Sequence, residues 1–125
     1  MNYDPLHDLD PEAWLALDES TRIDSVERYH RRRKIRLPNA TLHATIHVVV
    51  ENQVALGDQF PAKAVLERLM SEGLDRHEAI HAIGSVLSRR MFNALKGKGS
   101  AADLNAQYVE ELGQLTAESW RKSAP

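Results

Sequence analysis

Two stretches of this chain each carry a pair of histidines four residues apart: His43 and His47 in one, His77 and His81 in the other. On an α-helix, positions i and i+4 lie one turn apart on the same face. Glu51 extends the first pair into a column of three. His43, His47 and Glu51 thus point one way from one helix, and His77 and His81 point one way from another. Imidazole nitrogens and carboxylates on facing helices are the donors with which helical bundles hold transition metals. Each column borders an apolar stripe, where burying a polar group is costly unless it finds a partner. One ion gives all five side chains that partner. The competing readings are a hydrogen-bonded network, for instance Glu51 to a histidine, and histidines exposed separately.

The donor set His43, His47, Glu51, His77 and His81 implies one divalent transition metal. Nitrogen with carboxylate disfavours calcium and magnesium, favours zinc, and admits iron, manganese or nickel. A two-metal centre needs more bridging carboxylates than Glu51 and Glu78 supply. His77 lies in the first turn after Asp75, where the positive helix end disfavours imidazolium and leaves the neutral ring that ligates metal. Ordinary imidazole titration then predicts that binding weakens below about pH 6.

The run His77-Glu78-Ala79-Ile80-His81 also fits the pattern H-E-x-x-H, in which two helical histidines hold zinc and the glutamate activates water. Glu78 is therefore the candidate catalytic base for a metal-assisted hydrolysis. Leu87 occupies the third ligand position of the longer protease form, and no methionine turn can be placed, so proteolysis is not the expected reaction. Glu78 has a second role open to it, in a capping box with Asp75. His30, near the end of a helix, reads as a surface residue or dipole partner. His7 carries little information.

The elements that must position these residues read as helices throughout. Asp10 and Pro11 suit the cap and first position of a short helix to about Leu17. Ile23, Val26 and Tyr29 stripe a second helix, about 19–34. Leu37-Pro38-Asn39 is a connector, and a third helix runs about 40–56. Its Leu42, Ile46, Val49, Val50 and Val54 repeat at helical spacing despite the β-branched run. A fourth helix, about 61–72, turns Val65, Leu66, Leu69 and Met70 inward. A fifth, about 76–96, has the stripe Ile80, Ile83, Gly84, Leu87 and Met91. Gly84, nearly in line with the histidines, lets another helix approach closely. Gly97-Lys98-Gly99-Ser100 breaks the chain before a last helix, about 101–121, and residues 122–125 fray. The expectation is an all-α, compact bundle of five to six helices with antiparallel neighbours, forming a single domain over 1–125 after an irregular leader, 1–10.

A length of 125 residues suffices for an ordinary core. The net charge of -2 argues against nucleic acid as a partner. Arg31-Arg32-Arg33-Lys34 reads as a solvated last turn that complements the helix dipole. The absence of cysteine excludes disulfides, thiolate zinc sites and thiol catalysis. The opening Met1-Asn2-Tyr3-Asp4-Pro5 lacks a secretory pattern, and no apolar run is long enough for a membrane span, so the expected setting is cytoplasmic with no membrane partner. A homodimer, a small-molecule substrate and a protein partner are left open. A metal-free helical interaction module is the alternative function.

The run from Leu42 through Leu87 resembles a small uncharacterised bacterial family, a helical domain of unknown function. The similar pieces are Leu42-His43-Ala44, Ile46-His47 and Val50-Glu51-Asn52-Gln53. A second block follows, Gly73-Leu74-Asp75-Arg76-His77-Glu78-Ala79-Ile80-His81-Ala82-Ile83-Gly84-Ser85-Val86-Leu87. Trp14 to His30 is similar as well. The resemblance implies a compact helical bacterial protein with no assigned activity, and does not strengthen the enzyme reading.

Overall fold

Helix starts are set by side chains that take up the orphan N–H groups of each first turn. The computed structural model describes residues 2–33, 39–97 and 99–123. Asp10 accepts from the Glu12 and Ala13 amides and starts α1, Pro11–Ala16. Asp18 accepts from Thr21 and starts α2, Glu19–Arg32. Asn39 accepts from Leu42 and starts α3, Ala40–Ala55. A 3-10 turn, Gly57–Gln59, leads to α4, Ala62–Ser71. Asp75 starts α5, Arg76–Leu95, and Ser100 starts α6, Ala101–Gln114, with a capping box closed by Asp103. The last helix is α7, Ala117–Ser123. All seven are α-helices, and there is no strand among the described residues.

The expected last helix, 101–121, is in fact two. Thr116 Oγ1 accepts from the Ser119 amide and Ser119 Oγ accepts from the Thr116 amide, each at 3.0 Å. That reciprocal pair makes Thr116 a helix start, so the chain extends at Leu115 and turns before α7. Lys34, Leu37-Pro38, Lys98 and Ala124-Pro125, which carry parts of the basic run, the connector, the glycine break and the frayed tail, lie outside the described residues.

Helix α3 runs between two cores. Val50 joins residues of α4, α5 and α6 in one, and Ala44 and Val48 join Tyr3, Trp14, Val26 and Tyr29 in the other. Both of its faces are therefore covered, and the column carrying His47 and Glu51 is itself a core face, each residue being 1% exposed. Leu42, Met70 and Met91, expected to face inward, are 52%, 39% and 39% exposed. Each lies at the margin of its stripe, where the neighbouring helix does not reach. A Cβ on Gly84 would stand 2.9 Å from Ile46 Cγ2, so α5 meets α3 closely at this glycine.

The leader is not a bystander. It forms no helix, yet Tyr3 is buried against Trp14, Tyr29 and His47. Trp14 Nε1 and Arg22 Nη1 both donate to Asn52 Oδ1, which ties α1 and α2 to α3. No helix among the described residues is long and apolar enough to cross a membrane.

Candidate metal centre

Helices α2, α3 and α5 bring five imidazoles into mutual contact. His43 and His47 of α3 lie 4.9 Å from His81 between ring centroids, and His47 lies 5.2 Å from His77. The fifth ring is His30, 5.1 Å from His47 and 5.7 Å from His77. His30 is 4% exposed, so its reading as a surface residue is corrected. Val26 and Tyr29 mark the buried side of α2, and His30 follows them onto it, one turn from Val26. One ligand nitrogen from each of His30, His47, His77 and His81 lies within 4.8 Å of the other three. These four could hold a metal ion. His43 stands beside them, its Nε2 3.2 Å from His30 Nε2.

The bonds behind the rings decide which nitrogens face inward. His30 Nδ1 donates to the Val26 carbonyl at 2.9 Å, which leaves its Nε2 as the lone pair. The Tyr3 hydroxyl has one proton and gives it to Glu51 Oε2 at 2.7 Å. Its oxygen, 3.1 Å from His47 Nδ1, therefore accepts from that nitrogen. His47 Nε2 is thereby left unprotonated and lies 2.9 Å from His81 Nε2. His77 Nε2 is buried with no hydrogen-bond partner. Tetrahedral binding at about 2.0–2.1 Å per nitrogen sets ligand atoms roughly 3.3 Å apart. The His47–His81 and His30–His43 pairs fall near that separation.

Glu51 belongs to the column, but its carboxylate is engaged elsewhere. Arg76 donates to both of its oxygens at 2.8 Å, and Tyr3 adds a third donor. Arg76 is 2% exposed, and it also donates to the Pro5 carbonyl and to Asp8. Glu51 thus reaches the histidines through Tyr3, as an outer partner of His47. Nothing in the sequence pairs Tyr3, Glu51 and Arg76, which are far apart in the chain and meet only in the fold.

Burial sets the protonation of the cluster. His43, His77 and His81 are each lowered to about 4, chiefly by burial and then by neighbouring imidazoles. For His77, Asp75 pulls weakly the other way. His47 is pushed down further still, again by burial first. Burial also works against the charged Arg76, but Glu51 more than offsets it and holds the guanidinium above its usual range. The Tyr3 hydroxyl is held well above the ordinary tyrosine value by burial and by Glu51. At neutral pH His43, His47, His77 and His81 are therefore neutral, the form that binds metal.

A cleft of about 390 Å³ opens on one side of the cluster, walled by His43, His47 and His81 with Leu42, Ile46 and Trp120. Glu78 is exposed and does not line it. The Glu78 amide donates to Asp75 Oδ1 at 2.7 Å, one half of the expected capping box, and no return bond forms among the described residues. Arg31, Arg32 and Arg33 of the basic run are exposed. Arg31 pairs with Glu27 at 3.5 Å, and Arg33 lies over the Tyr29 ring at 5.2 Å.

Comparison with known proteins finds no family model, no curated protein and no solved structure that matches this chain.

Proposed function

We propose that the protein binds one transition-metal ion through His30, His47, His77 and His81, with His43 at its edge. The observation that carries this reading is the convergence of one nitrogen from each of four imidazoles within 4.8 Å; one of these residues, His77, also has its Nε2 buried with no hydrogen-bond partner among the described residues. A purely hydrogen-bonded histidine core pairs His47 with His81 and His30 with His43, and leaves His77 Nε2 at the cost of an unsatisfied buried group. An ion removes that cost. The donors also arrive with their outer partners: the Val26 carbonyl fixes His30, and Tyr3 with Glu51 fixes His47. Metal-binding histidines are held in this way by their second nitrogen.

A donor set of neutral imidazoles favours zinc, with nickel and iron next. Manganese loses ground because the carboxylate of Glu51 is engaged by Arg76. The ion would tie α2 and α3 to α5, joining the segments on either side of the 3-10 turn. Hydrolysis draws no support from Glu78, which stands outside the cleft. Elemental analysis of untagged protein tests the reading. One equivalent of a first-row transition metal, lost together in variants His47→Ala and His77→Ala, supports it. Metal-free protein that takes up no zinc or cobalt on titration overturns it.

A further inference from the structure

The cleft beside the histidines has the size and the lining of a ligand site. Its volume of about 390 Å³ lies within the range of small-molecule pockets. Leu42, Ile46, Ile80 and Trp120 give it an apolar lining, to which Asn39, Ser85 and Ser88 add polar side chains. No Asp, Glu, Lys or Arg lines it among the described residues. His47 and His81, two of the four converging rings, also line it, as does His43, while His30 and His77 do not. Among the described residues, charge beside the cleft would therefore come from an ion held by these rings.

Resting on the metal reading above, we infer that this cleft binds a small, uncharged and mainly apolar molecule that offers a single nitrogen or oxygen donor to the ion. The two faces of the cluster differ in the way this requires. Behind the rings, Tyr3, Glu51 and Arg76 fill the space with bonded side chains. In front, the cleft lies against α3 and α5 beside the Gly84–Ile46 contact. An ion held by these rings with a position left open would take its further ligand from the cleft, which His47 and His81 line. An anionic ligand finds no side-chain cation among the described residues of these walls, so a carboxylate away from the metal would be desolvated without a partner there.

The test uses the full chain loaded with cobalt(II), whose visible bands report its ligands, titrated with imidazole, 4-phenylimidazole and imidazole-4-acetate. The expected result is that 4-phenylimidazole changes the bands at a concentration at least tenfold lower than imidazole, and that the acetate is no better than imidazole. Ser88→Phe, at an exposed position on the cleft wall, should keep the cobalt bands and abolish the phenyl advantage. Cobalt bands that respond equally to imidazole and 4-phenylimidazole overturn the cleft proposal and leave the metal reading standing. Tighter binding of the acetate overturns the uncharged class. Absence of any cobalt bands overturns the metal reading itself.

Discussion

His47 and His81 come from helices separated by α4, yet their Nε2 atoms stand 2.9 Å apart. One of them, His47, has its proton on the far nitrogen because Tyr3 gives its own proton to Glu51. The lone pair therefore points at His81 and the cluster. Such a contact between two neutral rings is satisfied either by a single proton on His81 or by an ion that both nitrogens bind. The second arrangement also serves His77 and His30, and the first does not.

The ligand assignment predicts a ranking. His30→Ala, absent from the set expected from the two columns, should weaken zinc binding as severely as His77→Ala. Each should exceed the roughly 10–100-fold loss typical of outer-shell changes. Glu51→Gln should stay within that smaller range. Competition against a chromophoric chelator measures all three. Equal, small losses for His30→Ala and Glu51→Gln would remove His30 from the set.

Tyr3→Phe isolates the outer partner. The ring keeps its packing against Trp14 and Tyr29, while Glu51 loses a donor and His47 Nδ1 loses its acceptor. The expected costs are about 1–3 kcal/mol of fold stability and roughly 10–100-fold in zinc affinity. Urea melts and chelator competition read the two separately. A variant with unchanged affinity would mean that His47 is oriented by its neighbours alone.

The Glu51–Arg76 pair makes a prediction about the fold alone. Both side chains are within 2% exposure of fully buried. Arg76→Met leaves an uncompensated carboxylate and should cost about 3–5 kcal/mol. The double variant Glu51→Leu with Arg76→Met should cost less than Arg76→Met alone, because no buried charge remains. It should still bind zinc, since neither residue is among the four converging rings. Loss of zinc in a folded double variant would restore Glu51 as a ligand. Asp8, 90% exposed, adds little to this pair.

What the chain made legible was periodic. The i, i+4 histidine pairs, the caps at Asp10 and Asp75 and the small residue at Gly84 are local signals, and each has a local physical consequence in the fold. What it hid was pairing at a distance. Tyr3 sits in a segment with no repeat to mark it, and its hydroxyl meets a carboxylate 48 residues away. Arg76 occupies the first position of α5, where a cation has no dipole to complement, and its burial is explained by its bonds to Glu51 and to the leader at Pro5 and Asp8. His30 was the nearer miss. It lies one turn beyond Val26 and next to Tyr29, both on the buried stripe of α2. Its place in the last turn of that helix suggested solvent. Thr116 was passed over because the apolar register ran on through it.

Gly84 sets how closely α3 and α5 approach. Gly84→Ala puts a methyl 2.9 Å from Ile46 Cγ2, a branch at Cβ that cannot swing away. The expected cost is about 1–3 kcal/mol, as for overpacked cores. Ile46→Ala in the same chain should recover part of it by making room. Thermal melts of the two single variants and the double variant read the coupling. Additive losses would show that Gly84 is not what admits Ile46.

Acid behaviour follows from the neutral rings, and it moves the window expected from ordinary imidazole titration. His43, His77 and His81 sit at about 4 in the fold, against about 6.5 in the unfolded chain. Between these values the unfolded chain binds more protons than the folded one, so stability rises with pH across the interval. The contribution is whole above about 6.5, erodes as pH falls, and is gone below about 4. Metal-free protein should therefore lose thermal stability steadily from pH 6.5 to 4. Protons compete for the ligand nitrogens where the folded rings titrate, so zinc retained after dialysis across a pH series should fall off at lower pH than exposed imidazoles would give, because burial lowers His47, His77 and His81. The onset expected from the columns alone, about pH 6, belongs to exposed imidazoles. Zinc loss with a midpoint near 6, or a melting temperature flat from 6.5 to 4, would show that burial does not hold these rings neutral.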